Sequence, residues 1–182
     1  MIGILAKLAQ AAKLAHGAEA AIDVASKRLV PGGGAADPSM PAPELDPAYL
    51  KLVEGGLPDA RKLFSAKDAV RIIGKRIRNV ALAATDDCLV CEYHCKDRAG
   101  TVIGVHLSKT LPWEGFEGEL VKRETFADLG DDAFRSGRQL YVKQGEIVFW
   151  IHTGGEVMVA MAVEAARIVL ANLEADARAT RE

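Results

Sequence analysis

Three cysteines and two of the four histidines fall in the stretch Asp87–Lys109, DCLVCEYHCKDRAGTVIGVHLSK. Cys88-x2-Cys91-x3-Cys95, with His94 beside it, has the residue types of a thiolate metal site or a redox pair. Both chemistries need side chains that converge. The same residues predict a backbone that spreads them, because Leu89, Cys91, Tyr93 and Cys95 alternate with Cys88, Val90, Glu92 and His94. A period of two puts each set on its own face of a strand. Cys88 and Cys91 then point apart. Cys91 and Cys95 share a face but stand about 13 Å apart, too far for one zinc ion or a disulfide. Leu89-Val90 is poor turn material, and no second C-x-x-C exists. The expectation is structural thiols, with no metal and no cofactor. Three thiols leave at least one unpaired within the chain, which favours a reducing compartment.

The run Thr101–Ser108 alternates likewise, with Ile103, Val105 and Leu107 on the apolar side. A three-residue loop of Arg98, Ala99 and Gly100 predicts a hairpin with Cys95 opposite Ile103, Tyr93 opposite Val105 and Cys91 opposite Leu107. Glu92 then faces His106 on the other side. That pair resembles a base with its orienter, but no serine or cysteine is placed for it to activate, so the expectation is a surface ion pair. Neither G-x-S-x-G nor H-E-x-x-H is present. Asp128, Asp131 and Asp132 lack the spacing of a calcium loop and read as turn residues. Thr153-Gly-Gly-Glu156 resembles a phosphate cradle, but Glu156 brings negative charge there, and a helix capping box is expected instead.

The elements that position these residues follow in order. Pro47–Glu54 predicts a short helix, and Ser65-x-x-Asp68 opens a second one closed by Gly74. Ile77–Ala84 predicts a strand before the cysteine hairpin. Thr110–Gly118 is a loop carrying Trp113 and Phe116, which either cap the end of the core, the favoured reading, or present a recognition surface, and Glu119–Glu124 predicts another strand. Arg138–Lys143 and Glu146–His152 form a second hairpin about Gln144-Gly145, with Ile147, Phe149 and Ile151 toward the core and Val148, Trp150 and His152 opposite. A stripe from Val157 to Leu173 predicts a C-terminal helix across the sheet, fraying from Glu174. The fold class is α+β: an antiparallel sheet of five or six strands with that helix on one face.

Residues 1–30 are rich in Ala and Leu, with apolar residues at Ile4, Leu5, Leu8, Ala12, Ala15, Ile22, Ala25 and Leu29. This predicts an amphipathic helix, and Lys7 and Lys13 interrupt the apolar run that a secretory signal needs. Residues 31–46 form a Pro/Gly-rich linker, and residues 47–182 are the α+β domain. Net charge is −2 and aromatics are 5%, which offers neither a basic field nor a stacking platform for nucleic acid. No apolar run is long enough to span a bilayer as a helix. The arm therefore folds back onto the domain, pairs with its own copy, docks to a protein partner or makes peripheral membrane contact.

Cys91-x-Tyr93, Gly100-Thr-Val, Leu129-Gly-Asp-Asp-Ala133, a hairpin and a closing helix resemble the small α+β domains of bacterial cell-envelope lipoproteins and sensor ectodomains, over residues 63–173. The resemblance implies binding or sensing and transfers no site residue. The chain has no lipobox cysteine, so a cytoplasmic location, peripheral to a membrane or free of it, is expected, with the cell envelope as the alternative. The leading expectation is a non-enzymatic accessory protein that docks through Ile4, Leu5 and Leu8, with Trp113, Phe116 and Trp150 as further partner-binding residues. A ligand-binding or sensor domain with a pocket between sheet and helix is the second reading, and a small enzyme using Glu92 and His106 the third.

Overall fold

The computed structural model describes residues 46–85, 87–95, 100–109, 113, 124–155 and 157–179. Helix α1 (Pro47–Glu54) is capped by the Asp46 carboxylate and begins with proline. A short turn, α2 (Ala60–Leu63), follows Asp59, whose carboxylate accepts from the Arg61 N–H and the Tyr49 hydroxyl and so ties α2 to α1. Helix α3 (Ala66–Ile73) starts with the expected capping box between Ser65 and Asp68 and ends on Gly74 in the left-handed region. Strands β1 (Ile77–Ala84), β2 (Cys88–Cys95) and β3 (Val102–Ser108) come next. Then follow β4 (Glu124–Thr125), β5 (Asp132–Ser136), β6 (Gln139–Gln144), β7 (Ile147–Gly154) and helix α4 (Val159–Ala179).

All seven strands join one antiparallel sheet in the order β1-β2-β3-β7-β6-β5-β4. Two meanders meet where β3 pairs with β7, which places the cysteine hairpin near the middle. The sheet is one strand wider than the widest expected, because β5 occupies Asp132–Ser136, where the acidic run reads as turn. The strand expected over residues 119–124 appears only as its last residue and Thr125; residues 119–123 lie outside those described.

The faces are as the alternation requires, but both hairpin registers differ from expectation by two residues. Tyr93 stands opposite Ile103, Cys91 opposite Val105 and Leu89 opposite Leu107, so Glu92 faces Gly104 and not His106. In the second hairpin Gln144 pairs with Ile147, and the turn is Gly145-Glu146 with glycine first at φ +60°. That is the glycine position of a type II′ turn, not the Gln144-Gly145 type I′ turn. A slip of two keeps every side chain on its face.

One face buries Leu89, Cys91, Tyr93, Ile103, Val105, Phe149 and Ile151 beneath all four helices. Helix α4 contributes Ala162, Ala165, Ala166, Val169 and Leu173, small residues that let it lie close across β6 and β7. Met158, expected in this stripe, is 63% exposed because the helix begins one residue after it. The helix does not fray at Glu174 but runs to Ala179, with an Arg178–Glu174 pair at 3.3 Å supporting the last turns. Asn172 donates to the Leu63 carbonyl at 2.9 Å, which anchors α4 to α2.

Tyr93 carries a polar tie through this core. Its hydroxyl donates to the Phe64 carbonyl and accepts from the Cys91 thiol at 3.2 Å. Tyr93→Phe leaves a buried carbonyl without its donor, and we expect a loss of about 1–3 kcal/mol. Urea unfolding should show a lower midpoint with an unchanged slope.

Candidate functional site

Glu92 and His106 lie on the sheet face turned away from the helices. They are 1% and 0% exposed, so the expected surface ion pair is a buried one. Register explains how they meet. Gly104 stands between Glu92 on β2 and His152 on β7, with His106 two residues further along β3. A Cβ on Gly104 would lie 2.5 Å from Glu92 Cγ. The glycine therefore gives Glu92 the space to lie over β3, where it reaches the neighbouring imidazole diagonally. Glu92 Oε1 is 3.3 Å from His106 Nε2, and Oε2 is 3.3 Å from His94 Nε2. His106 stacks on Trp150 at 4.9 Å and meets the His152 ring edge-on at 5.9 Å.

Burial pushes the Glu92 carboxyl up, but the imidazoles of His106 and His94 outweigh it and hold the group well below the ordinary carboxylate range. Burial lowers His152, against the opposing pull of Glu92; the charges of His106, His94 and Arg138 lower it further. Glu92 Oε1, both His106 nitrogens and His152 Nδ1 are buried and make no aligned hydrogen bond among the described residues. The contacts are charge contacts, not a relay. Glu92 takes one imidazole on each oxygen, so the ligand atoms do not converge; among the described residues no group of three or more His, Cys, Asp or Glu could hold a metal ion.

The thiols are separated by the sheet itself, with Cys88 on the face of Glu92 and Cys91 and Cys95 on the helix-covered face. Burial pushes Cys88 and Cys91 up to about 12, which leaves them as thiols and weak nucleophiles. The acidic run is also accounted for. Asp128 pairs with Arg167, Asp131 accepts from the Gly145 N–H at 2.6 Å, and Asp132 accepts from Trp113 Nε1 at 2.9 Å.

Trp113 and Trp150, expected at a recognition surface, are both buried. Trp113 packs on Phe134 at 5.2 Å, Phe134 on Tyr141 at 5.1 Å, and Tyr141 on Trp150 at 5.8 Å, an aromatic row that ends on His106. Ile4, Leu5, Leu8 and Phe116 lie outside the described residues.

A cavity of about 240 Å³ opens where the β5–β6 turn meets the end of β7 and the start of α4. Arg135, Arg138, Gln139, Thr153, Gly154 and Gly155 supply its polar wall. Thr153 does not cap a helix; it lies in β7, one residue before the strand's end, and its hydroxyl donates to the Arg138 carbonyl at 2.9 Å. Glu156, the other half of the expected capping box, lies outside the described residues. Arg135 is 3.5 Å from Glu124, whereas Arg138 pairs with no carboxylate among the described residues. Arg135 and Arg138 carry no motif and were not singled out by the sequence. The only signal for them was the register of the second hairpin, which sets the residues before Gln139 beside the Gly-Gly turn.

No family model, curated protein or solved structure matches the chain.

The buried cluster makes stability depend on pH. His152 is held below its ordinary value of about 6.5, so between its folded and unfolded values the unfolded chain carries the extra proton. Its contribution is complete above about pH 6.5 and is lost as pH falls. Glu92 is held low too, so its contribution persists until the pH drops below about 4. We expect the melting temperature to fall from pH 7 to pH 5, and His152→Asn to flatten that slope. Glu92→Ala leaves His106 and His94 without their carboxylate neighbour and should cost about 1–3 kcal/mol at pH 7 by urea unfolding.

Proposed function

We propose that the domain is a non-enzymatic binding module that takes a small anion, a carboxylate on a short apolar group, in the cavity between sheet and helix. The observation that carries this reading is that Arg135 and Arg138 line one cavity, with Arg138 paired with no carboxylate among the described residues. Arginine suits this task because its planar fork matches a carboxylate in two-point contact. Leu140, Val157, Val159 and Ala162 give the cavity an apolar side. At about 240 Å³ it is smaller than the ~300–1,000 Å³ usual for drug-sized ligands, which limits the ligand to a few heavy atoms beyond its charged end.

The Glu92–His106 pair supports a binding reading over catalysis. A general base must reach the proton that it takes. Here carboxylate and imidazole meet each other beneath a closed surface, and the thiols of Cys91 and Cys95 face the other way.

A thermal-shift series with succinate, butyrate and inorganic phosphate tests the reading. We expect one of the carboxylates to raise the melting temperature, a gain of about 2.7 kcal/mol at a hundred times its dissociation constant. Arg138→Ala should abolish the shift without lowering the melting temperature of the free protein. No shift with any of the three, or a shift that survives Arg138→Ala, rejects the assignment.

A further inference from the structure

The second sheet face poses a packing problem that the described elements do not solve. Ala81, Ala83, Cys88, Val90, Val148 and Trp150 belong to a buried cluster there, to which none of the four described α-helices contributes a residue. All four helices pack on the opposite face. Trp113 covers the β5–β6 end of this face through Phe134 and Asp132. The β1–β2–β3 end, with Glu92 and His106, is withdrawn from solvent with no described element above it.

We infer that residues 1–30 of this same chain form the layer over the β1–β2–β3 end of the sheet's second face. The first described residue, Asp46, leads into α1, which packs against β1 and β2, and β1 is an edge strand. The preceding chain thus joins the fold at the border of the uncovered end. The linker of residues 31–46 reaches up to about 50 Å when extended, ample to round the edge of a sheet whose layers are about 10 Å apart. A 30-residue helix is about 45 Å long, enough to cross three strands spaced about 4.8 Å apart. The surfaces also match in grain. Ala81, Ala83 and Gly104 make a shallow floor, and Ile4, Leu5, Leu8, Ala12 and Ala15 give a stripe of mixed large and small apolar residues. The inference is independent of the anion cavity, which lies at the far end of β7.

Benzoyl-phenylalanine in place of Leu8 of the full chain, followed by irradiation and mass spectrometry, tests it. We expect cross-links to residues 81–90 within the monomer. Cross-links to a second copy, to another protein or to the helix-covered face would overturn it, as would none at all. A second measurement uses the three thiols as face-specific reporters, since only Cys88 belongs to this face. In full-length Leu5→Asp/Leu8→Asp, maleimide labelling of Cys88 should accelerate about tenfold or more while Cys91 and Cys95 stay slow. No acceleration, or equal acceleration of all three, rules out a cover confined to this face.

Discussion

Strand β3 has no exposed residue along its length, and much of the rest follows from that constraint. It lies third from the β1 edge and joins two meanders through β2 and β7. Ile103, Val105 and Leu107 go to the helix layer, an apolar commitment worth roughly 1.5–3 kcal/mol each. The other side of the same strand presents Val102, Gly104, His106 and Ser108, and these are buried as well. A half-solvated antiparallel sheet would have left that side to water. Buried here, its polar groups must find partners inside the protein or cost roughly 1–3 kcal/mol apiece.

Glu92 and His106 meet that demand only in part, through a 3.3 Å contact without an aligned hydrogen bond, and their placement goes with the register of β2 on β3. A slip of two residues, the pairing implied by a three-residue loop, would keep every face correct. It would also set Glu92 opposite His106 and take Gly104 away from Glu92 Cγ, whose path occupies the space that a Cβ would fill. The observed register uses the one side-chain-free position on β3 to lay the carboxylate between two imidazoles. Buried ion pairs are a weak source of net stability, and an apolar replacement of similar shape often does as well. The contribution of this pair is better read as specificity, because only the observed register lays Glu92 over Gly104 with an imidazole at each oxygen.

The legible part of the fold was the part governed by local chemistry. Ser65-x-x-Asp68 and Gly74 marked α3 at both ends, and alternation placed each cysteine on its face. Local rules could not choose between registers two residues apart, since loops of three and five residues both suit Lys96–Gly100. Strand β5 was hidden because Asp131 and Asp132 are turn formers by type. Here Asp131 does serve a turn, through the Gly145 N–H, while Asp132 opens a strand and holds Trp113. The Glu92–His106 pairing was legible as a shared face, but its burial was not, because depth depends on what lies over the sheet. Arg135 and Arg138 were illegible as a pair, since only the β5–β6 turn brings them to one cavity.

Arg138 connects the cavity with the buried cluster. Its guanidinium lines the cavity, and its charge is among those that keep His152 below the ordinary imidazole value. An anion seated beside Arg138 offsets that charge, so His152 takes up a proton more readily when the cavity is filled. Coupling of this kind is reciprocal: if binding promotes protonation, protonation promotes binding. On the proposed reading of the cavity, affinity for the anion is therefore expected to rise as pH falls through the range in which His152 titrates. The effect is modest, because burial is the larger cause of the His152 shift and the approach of Glu92 already opposes it. Its direction is set by the signs of the charges, and the register supplies the proximity, since Gln139 pairs with His152 and so holds Arg138 at the end of the same strand pair.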